Sequence, residues 1–373
     1  MRDGGGMRPE PDPADDRRTT PIRVLVVDDQ SFMRIALRQI LEAEGDIRVV
    51  GEAQNGLEAV KMAGELKPDA ITLDVEMPEM DGLQACAEIA RGAEPRPVII
   101  MVSAHTQAGA DAAVKALRFG AADFVSKSSV FAKTDLAHID SELRRKLRAW
   151  VKPRAVPQAG ANLPPPHREA AGWRPDIIVI AASTGGPQAL TALLSGHTPV
   201  AAPIVIAQHM PELFTASLAQ ALAHDTGHEV REGSHRLALT PHSVTLIPGG
   251  RDGIVAPCRS GGYELRLVQM EGNLHPSANA LFESAALVAT APAGIVLTGM
   301  GDDGAKGASA LRRKGVPVLV QDPATCIVGG MPQAAYAAAA GCEVLSIPRI
   351  SARIEAWFKK AGAETPASLT RNL

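Results

Sequence analysis

Short apolar, β-branched runs that stop on a polar residue recur along this chain, and they restrict its fold more than any other feature. Arg23-Val-Leu-Val-Val27 stops at Asp28-Asp29, Ala70–Leu73 at Asp74 and Val98–Val102 at Ser103, while Asp123–Val125 is followed closely by Lys127. A continuous apolar run suits a strand covered on both faces, the habit of parallel sheets. Stretches with helical spacing lie between the runs, one reaching Leu41, another over Leu57–Leu66, and a charged one over Asp135–Trp150. With Ile47–Val50 as a further strand, this alternation predicts one open parallel sheet with helices on both faces over residues 21–149.

The pattern breaks over residues 150–175, where Pro153, Pro157, Pro164, Pro165, Pro166 and Pro175 mark a semi-rigid linker. It then resumes. Ile177–Ala182, Pro203–Ala207, Val244–Ile247, Tyr263–Leu267, Gly294–Leu297 and Val316–Val320 read as strands of a second doubly wound α/β domain over residues 176–362. Residues 1–20 carry no apolar core and read as a disordered leader, and 363–373 as a tail. A chain of 373 residues accommodates two ordinary domains. Four cysteines without a CxxC pair fit reduced thiols in a cytosolic protein better than a disulfide framework or a zinc site. The net charge of −3 gives no electrostatic reason to expect nucleic acid or a membrane surface as partner. No apolar run approaches the ~18 residues of a membrane span.

In open parallel sheets, ligands bind beyond the carboxyl ends of the strands. In the first half those ends bring Asp28, Asp29, Asp74, Ser103 and Lys127 to one edge. Three carboxylates repel one another unless a hard cation or a lysine offsets them, and oxygen donors with room for water suit Mg²⁺. A carboxylate beside Mg²⁺ can attack a phosphoryl donor, with the lysine and the hydroxyl holding the new phosphoryl oxygens. Taken singly, Asp29 reads equally well as a helix cap and Lys127 as a solvated loop residue. The motifs Val26-Val-Asp-Asp29, Leu73-Asp-Val-Glu-Met-Pro78 with Asp81-Gly82, Met101-Val-Ser103 and Phe124-Val-Ser-Lys127 closely resemble the receiver domain of two-component response regulators. The resemblance implies a flavodoxin-like fold with Asp74 as phosphoacceptor. It implies Mg²⁺ held by Asp28, Asp29, Asp74 and the Glu76 carbonyl, phosphoryl contacts from Ser103 and Lys127, and a switch aromatic at Phe124. Ser128 departs from the pattern, since a proline usually follows the lysine.

In the second half, Ile177–Ala182 runs into Ser183-Thr-Gly-Gly-Pro187. Gly185 and Gly186 allow a sharp turn, and Pro187 suits the first turn of a helix. Two roles stay open for Ser183 on this stretch alone: a helix cap, or a nucleophile close to backbone N–H groups. The strand at Pro203–Ala207 ends in Gln208-His209, and that at Gly294–Leu297 in Thr298-Gly-Met-Gly-Asp302-Asp303-Gly304. A serine, a histidine and a carboxylate at one sheet edge are the set needed for acyl transfer: nucleophile, base and orienting acid. His197, His224, His228, His235, His242 and His275 lie mostly in polar stretches, whereas His209 directly follows a buried strand. Gly299-Met-Gly301-Asp-Asp-Gly304 also has the GxGxxG form, after a strand and before an Ala-rich helix, with Asp322 further on. Against a dinucleotide site, Asp302 and Asp303 would place two negative charges in the loop meant for a pyrophosphate.

Ala182-Ser-Thr-Gly-Gly-Pro187, Gln208-His-Met210, Leu297-Thr-Gly-Met-Gly-Asp-Asp-Gly304, and Gln321-Asp-Pro-Ala-Thr325 with Gly330-Met-Pro332 resemble the catalytic domain of the chemotaxis protein-glutamate methylesterases. Those enzymes carry a receiver domain in front. The resemblance implies Ser183 as nucleophile, His209 as general base and Asp303 as orienting acid. The Thr184 and Met300 N–H groups would form the oxyanion hole, Asp302 would be a neighbour, and this domain would need no cofactor. The implied substrates are glutamyl methyl esters, and glutamines, of methyl-accepting chemoreceptors. The implied phosphodonor is a chemotaxis histidine kinase, and the implied location cytoplasmic. The implied control is an unphosphorylated receiver that covers the active-site edge. The alternative from another class is a non-catalytic binding module exposed by phosphorylation. Asp252 stands where the family often has histidine, and Asn279 where it often has aspartate; both are expected in loops that touch the substrate.

Overall fold

The computed structural model describes residues 20–92, 95–104, 106–127, 136–151, 172–270 and 274–359. Ser128 and most of the leader, linker and tail lie outside them.

The first half alternates strictly: β1 (Ile22–Val27), α1 (Ser31–Glu42), β2 (Ile47–Ala53), α2 (Gly56–Leu66), β3 (Ala70–Asp74), α3 (Gly82–Arg91), β4 (Val98–Ser103), α4 (Gln107–Arg118), β5 (Asp123–Ser126) and α5 (Leu136–Val151). The five strands form one parallel sheet in the order β2-β1-β3-β4-β5. That is the flavodoxin-like order, with its switch point between β1 and β3. Alternate residues of β1 explain the layering. Val24 and Val26 join Met33, Leu37 and Leu41 of α1 and Leu143 and Leu147 of α5 in one core. Leu25 and Val27 point to the opposite face and are equally buried. A Cβ on Gly82 would be driven into the Asp74 carbonyl, so only glycine lets α3 begin that close to the end of β3.

The second half begins with β6 (Ile177–Ala182), α6 (Gly186–Ser195), β7 (Ile204–Gln208), α7 (Phe214–Thr226), β8 (Glu229–Glu232), β9 (Leu237–Leu239), β10 (Ser243–Leu246), β11 (Asp252–Pro257) and β12 (Tyr263–Val268). It continues with α8 (Ala278–Val288), β13 (Pro292–Val296), α9 (Ala305–Arg313), β14 (Val318–Gln321), α10 (Gly330–Ala338), β15 (Glu343–Leu345) and α11 (Ile347–Phe358). Seven strands make a parallel sheet in the order β15-β14-β13-β6-β7-β10-β8. The chain starts at β6, builds outward through β7, and later returns to β13 on the other side of β6. The switch point therefore falls between β6 and β13. Ile177, Val179 and Ala181 share a core with Leu281 and Phe282 of α8, Leu311 of α9 and Met331 of α10.

One expected strand belongs elsewhere. β12, at the predicted Tyr263–Leu267, pairs antiparallel with β11 and β9 in a separate three-stranded sheet. Leu265 of β12 is fully buried, while Arg266 is exposed. The antiparallel pairing of β12 and its exposed Arg266 fit a strand with one open face rather than one sandwiched between helix layers.

Candidate active site

Ser183, His209 and Asp303 all lie just beyond carboxyl ends of the parallel sheet. Ala182 of β6 pairs with Gln208 of β7, and the His209 N–H donates to the Ala182 carbonyl at 2.9 Å. The next residues, Ser183 and His209, therefore leave adjacent strands side by side. The Ser183 N–H donates to the Thr298 carbonyl at 3.0 Å, which ties the serine turn to the loop after β13. Gly185 turns the chain with φ +75° and is the N-cap of α6, which receives no side-chain cap. The Ser183 hydroxyl is thus not spent on capping that helix.

The His209 ring and the Asp303 carboxylate meet directly, Nε2 to Oδ2 at 2.8 Å. The other ring nitrogen, Nδ1, is buried with no partner among the described residues. Asp303 also accepts from the backbone N–H groups of Ala278 (2.6 Å), Asn279 (2.9 Å) and Gly304 (3.0 Å). Burial alone would raise its pKa, but the His209 hydrogen bond and charge and the α8 N–H groups outweigh that and hold Asp303 below the usual carboxylate value. Asp302 is exposed. The Thr184 and Met300 N–H groups donate to no partner among the described residues. Gly299 passes so close that a Cβ there would crowd the Ser183 Cβ at 2.8 Å.

The GxGxxG loop is not open to a pyrophosphate. The N–H groups of Gly304 and Gly307 that begin α9 already donate to Asn279 Oδ1, at 3.1 and 2.9 Å. Asp322 accepts from the Ala324 N–H in its own turn.

At the switch point of the first sheet, Asp28, Asp29 and Asp74 each present a carboxylate oxygen within 4.8 Å of the others. Lys127 Nζ lies 2.8 Å from Asp28 Oδ2 and 2.7 Å from Asp74 Oδ2. It is held there by its N–H, which donates to the Ser103 carbonyl at 2.6 Å. Lys127 is therefore no solvated loop residue. Asp29 is no cap either: the N-cap of α1 is Gln30, without a side-chain cap bond. Burial, opposed by the Lys127 bond and charge and reinforced by Asp28, pushes the Asp74 carboxyl up to about 6. One ammonium thus does not fully offset the buried negative charge. An all-oxygen set in that condition fits a hard divalent cation such as Mg²⁺. The Glu76 side chain is exposed, and Ser103 and Phe124 are buried. Lys146 Nζ sits 5.3 Å above the Phe124 ring.

The CheB methylesterase family matches residues 178–354, and the response regulator receiver domain family matches 24–138. Protein-glutamate methylesterase/protein-glutamine glutaminase 1 of Caulobacter vibrioides is 40% identical over 318 residues, covering 84% of this chain and 92% of that protein. The chain belongs to this methylesterase family. Protein-glutamate methylesterase/protein-glutamine glutaminase 5 of Myxococcus xanthus is 40% identical over 330 residues, with 84% and 92% covered. The Thermotoga maritima CheB methylesterase catalytic domain aligns at 31% identity with 48% of this chain and 97% of its own, TM-score 0.45.

Three polar residues around Ser183, His209 and Asp303 escaped sequence reasoning or were read differently. Gln208 donates from Nε2 to the carbonyls of both Ser183 and His209, each at 3.0 Å, and so braces the two turns together. Its signal was a polar residue closing a buried strand. Asp252 is fully buried at the start of β11 and accepts from the Met270 and Ser277 N–H groups and from His275 Nδ1. Asn279 lies in the first turn of α8. Both departures thus spend their side chains on the chain itself. His197 and His228 do lie between regular elements, but both are buried, stacked edge to face at 5.1 Å.

Proposed function

We propose that this chain is a phosphorylation-controlled protein-glutamate methylesterase, with protein-glutamine glutaminase activity, acting on methyl-accepting chemoreceptors. The observation that carries the reading is the His209–Asp303 contact beside the Ser183 turn, with His209 Nδ1 buried and unpartnered among the described residues. Asp303 holds the proton on Nε2 and orients the ring, so Nδ1 is the basic nitrogen. It takes the Ser183 hydroxyl proton as Oγ attacks the ester carbonyl. The tetrahedral oxyanion faces the Thr184 and Met300 N–H groups. The proton on Nδ1 then passes to the leaving methoxide, and methanol departs from an acyl-enzyme. Water, deprotonated by His209, attacks the acyl carbon and releases the glutamate carboxylate and Ser183. With a glutamine side chain the same steps release ammonia.

Control resides in Asp74. Asp28, Asp29, Asp74 and the Glu76 carbonyl would hold Mg²⁺, which offsets the charge of an incoming phosphoryl group. Asp74 accepts that group, from a chemotaxis histidine kinase or a small phosphodonor, and Lys127 and Ser103 bind its oxygens. The unphosphorylated receiver restrains the hydrolytic domain, and phosphorylation releases it. The domains span about 21–149 and 176–362, and the protein acts in the cytoplasm. Among the described residues no helix is long and apolar enough to cross a membrane.

The test is methanol release from methylated chemoreceptor, with and without a small phosphodonor and Mg²⁺. Ser183→Ala should abolish release under both conditions; full activity in that variant removes the nucleophile assignment. Asp74→Asn should keep basal release and lose the stimulation. An undiminished response there removes Asp74 from control.

A further inference from the structure

Two helix N-termini meet at Asp303, and each is capped from the approach to the other. The Asp303 carboxylate, just before α9, accepts from the Ala278 and Asn279 N–H groups in the first turn of α8, at 2.6 and 2.9 Å. In return, Asn279 Oδ1 accepts from the Gly304 and Gly307 N–H groups that open α9, at 3.1 and 2.9 Å. The Gly304 N–H is shared, since Asp303 Oδ1 also lies 3.0 Å from it. An amide oxygen and a carboxylate oxygen therefore converge on one donor. A neutral acceptor fits there; a carboxylate would set a second negative charge against Asp303. The start of α8 is anchored from its far side as well. The N-cap Ser277 donates its N–H to buried Asp252 at 2.7 Å, and its Oγ lies 3.4 Å from Asp303 Oδ1.

We propose that Asn279 is a positioning residue for the hydrolytic reaction: by tying the N-termini of α8 and α9 together, it fixes the Asp303 carboxylate against His209 Nε2. The inference rests on the Ser183–His209–Asp303 reading above. Asn279 donates nothing to His209 itself. Its action is to remove the freedom of Asp303 to shift, and thereby the freedom of the imidazole to turn away from Ser183. Misplacement of a reacting group by about 1 Å costs roughly 100-fold in rate.

Among the described residues, few charged groups bond to Asp303 or to its partners. His209 faces it from the end of β7, and Asp252 with His275 reach it only through Ser277. Glu283 of α8, Lys306 of α9 and Asp302 are exposed. A carboxylate at position 279 would share the Gly304 N–H with Asp303 and so set a second negative charge directly against it.

The experiment measures kcat and KM for methanol release against pH, using the full chain with phosphodonor and Mg²⁺, for Asn279→Ala and Asn279→Asp. Asn279→Ala should lower kcat by about 10- to 100-fold with KM within about twofold. Asn279→Asp restores the acceptor and should recover a large part of kcat. Its added charge favours the imidazolium, so the acid limb of kcat/KM should move to higher pH. Thermal melts of both variants report the folded fraction. Wild-type kcat and an unmoved pH profile in both variants overturn the proposal. So does a loss of activity that only follows the folded fraction. Ser183→Ala measured alongside separates the two failures: if it stays active, the underlying reading is wrong whatever Asn279 does.

Discussion

His209 is bound to Asp303 through Nε2, at 2.8 Å, so the nitrogen left to exchange a proton is Nδ1, buried and unpartnered among the described residues. The carboxylate sets this tautomer because it accepts from an Nε2–H. Asp303→Asn can present an N–H instead and stabilise the opposite tautomer, so kcat should fall by about 10⁴. Stability should change with pH as well. Asp303 sits below its ordinary value of 3.8 in the folded protein. Its charge therefore stabilises the fold above the unfolded value, and that contribution is lost as pH falls through the lower folded value. Urea unfolding of the hydrolytic domain should show the full gap between wild type and Asp303→Asn at pH 7. The gap should close in acid below the usual carboxylate range.

Gln208 separates positioning from stability. Its Nε2 bridges the Ser183 and His209 carbonyls, while its Oε1 is buried without a partner among the described residues. A Cβ on Gly186 would collide with that amide, so Gly186 is what admits it. Gln208→Met keeps the length of the side chain and removes both the two hydrogen bonds and the unpaired oxygen. These effects oppose each other, so stability should change by less than about 1.5 kcal/mol. The brace between the Ser183 and His209 turns is nonetheless gone, and kcat should fall by about tenfold or more at unchanged KM. Denaturation and steady-state kinetics on one preparation give both quantities.

Two glycines of the receiver predict opposite signs. At Gly82 the obstacle is the Asp74 carbonyl, a backbone atom that cannot rotate away. Gly82→Ala should destabilise the receiver by about 1–3 kcal/mol and, by displacing the end of β3, slow phosphoryl uptake at Asp74. Gly64 lies within α2, is exposed, and a Cβ there meets nothing within 4 Å. Gly64→Ala should stabilise by roughly 0.5–1 kcal/mol through helix propensity and leave phosphorylation untouched. Thermal melts and phosphodonor-dependent labelling distinguish the two.

The difference between what could and could not be read from the sequence follows the range of each signal. Asp28, Asp74, Ser183 and His209 each close a buried apolar run, a pattern written in a few consecutive residues. The β9–β11–β12 sheet carries no such mark, since Leu237–Leu239 has three residues and its identity depends on pairing with β12. Asn279 and Gln208 fail for the same reason at longer range. Asn279 reaches N–H groups 25 and 28 positions away, and Gln208 a carbonyl 25 positions away. Neither residue type predicts such a partner. Motif resemblance pointed to position 279 as a departure, but only the packing of α8 on α9 gives the amide its use.

The Phe124 position offers a last test. Lys146 Nζ donates to Asp123 Oδ1 at 2.8 Å and to the Phe124 carbonyl at 2.7 Å, over the face of the Phe124 ring. The side chains of Lys146 and Asp123 are only 13% and 6% exposed. Burial tends to lower the Lys146 pKa, but the charges of Asp123 and Glu142 outweigh it and raise it. Removing one partner strands a buried charge. Lys146→Met should therefore destabilise the receiver by about 3 kcal/mol or more. Removing both charges in Asp123→Asn/Lys146→Met should recover much of that loss, because an uncharged pair needs no such compensation. The double-mutant cycle measures the coupling between the two residues. A double variant as unstable as the sum of the singles would mean that Lys146 acts mainly through the Phe124 ring and carbonyl. In that case the aromatic, rather than Asp123, is what the lysine holds in its buried position.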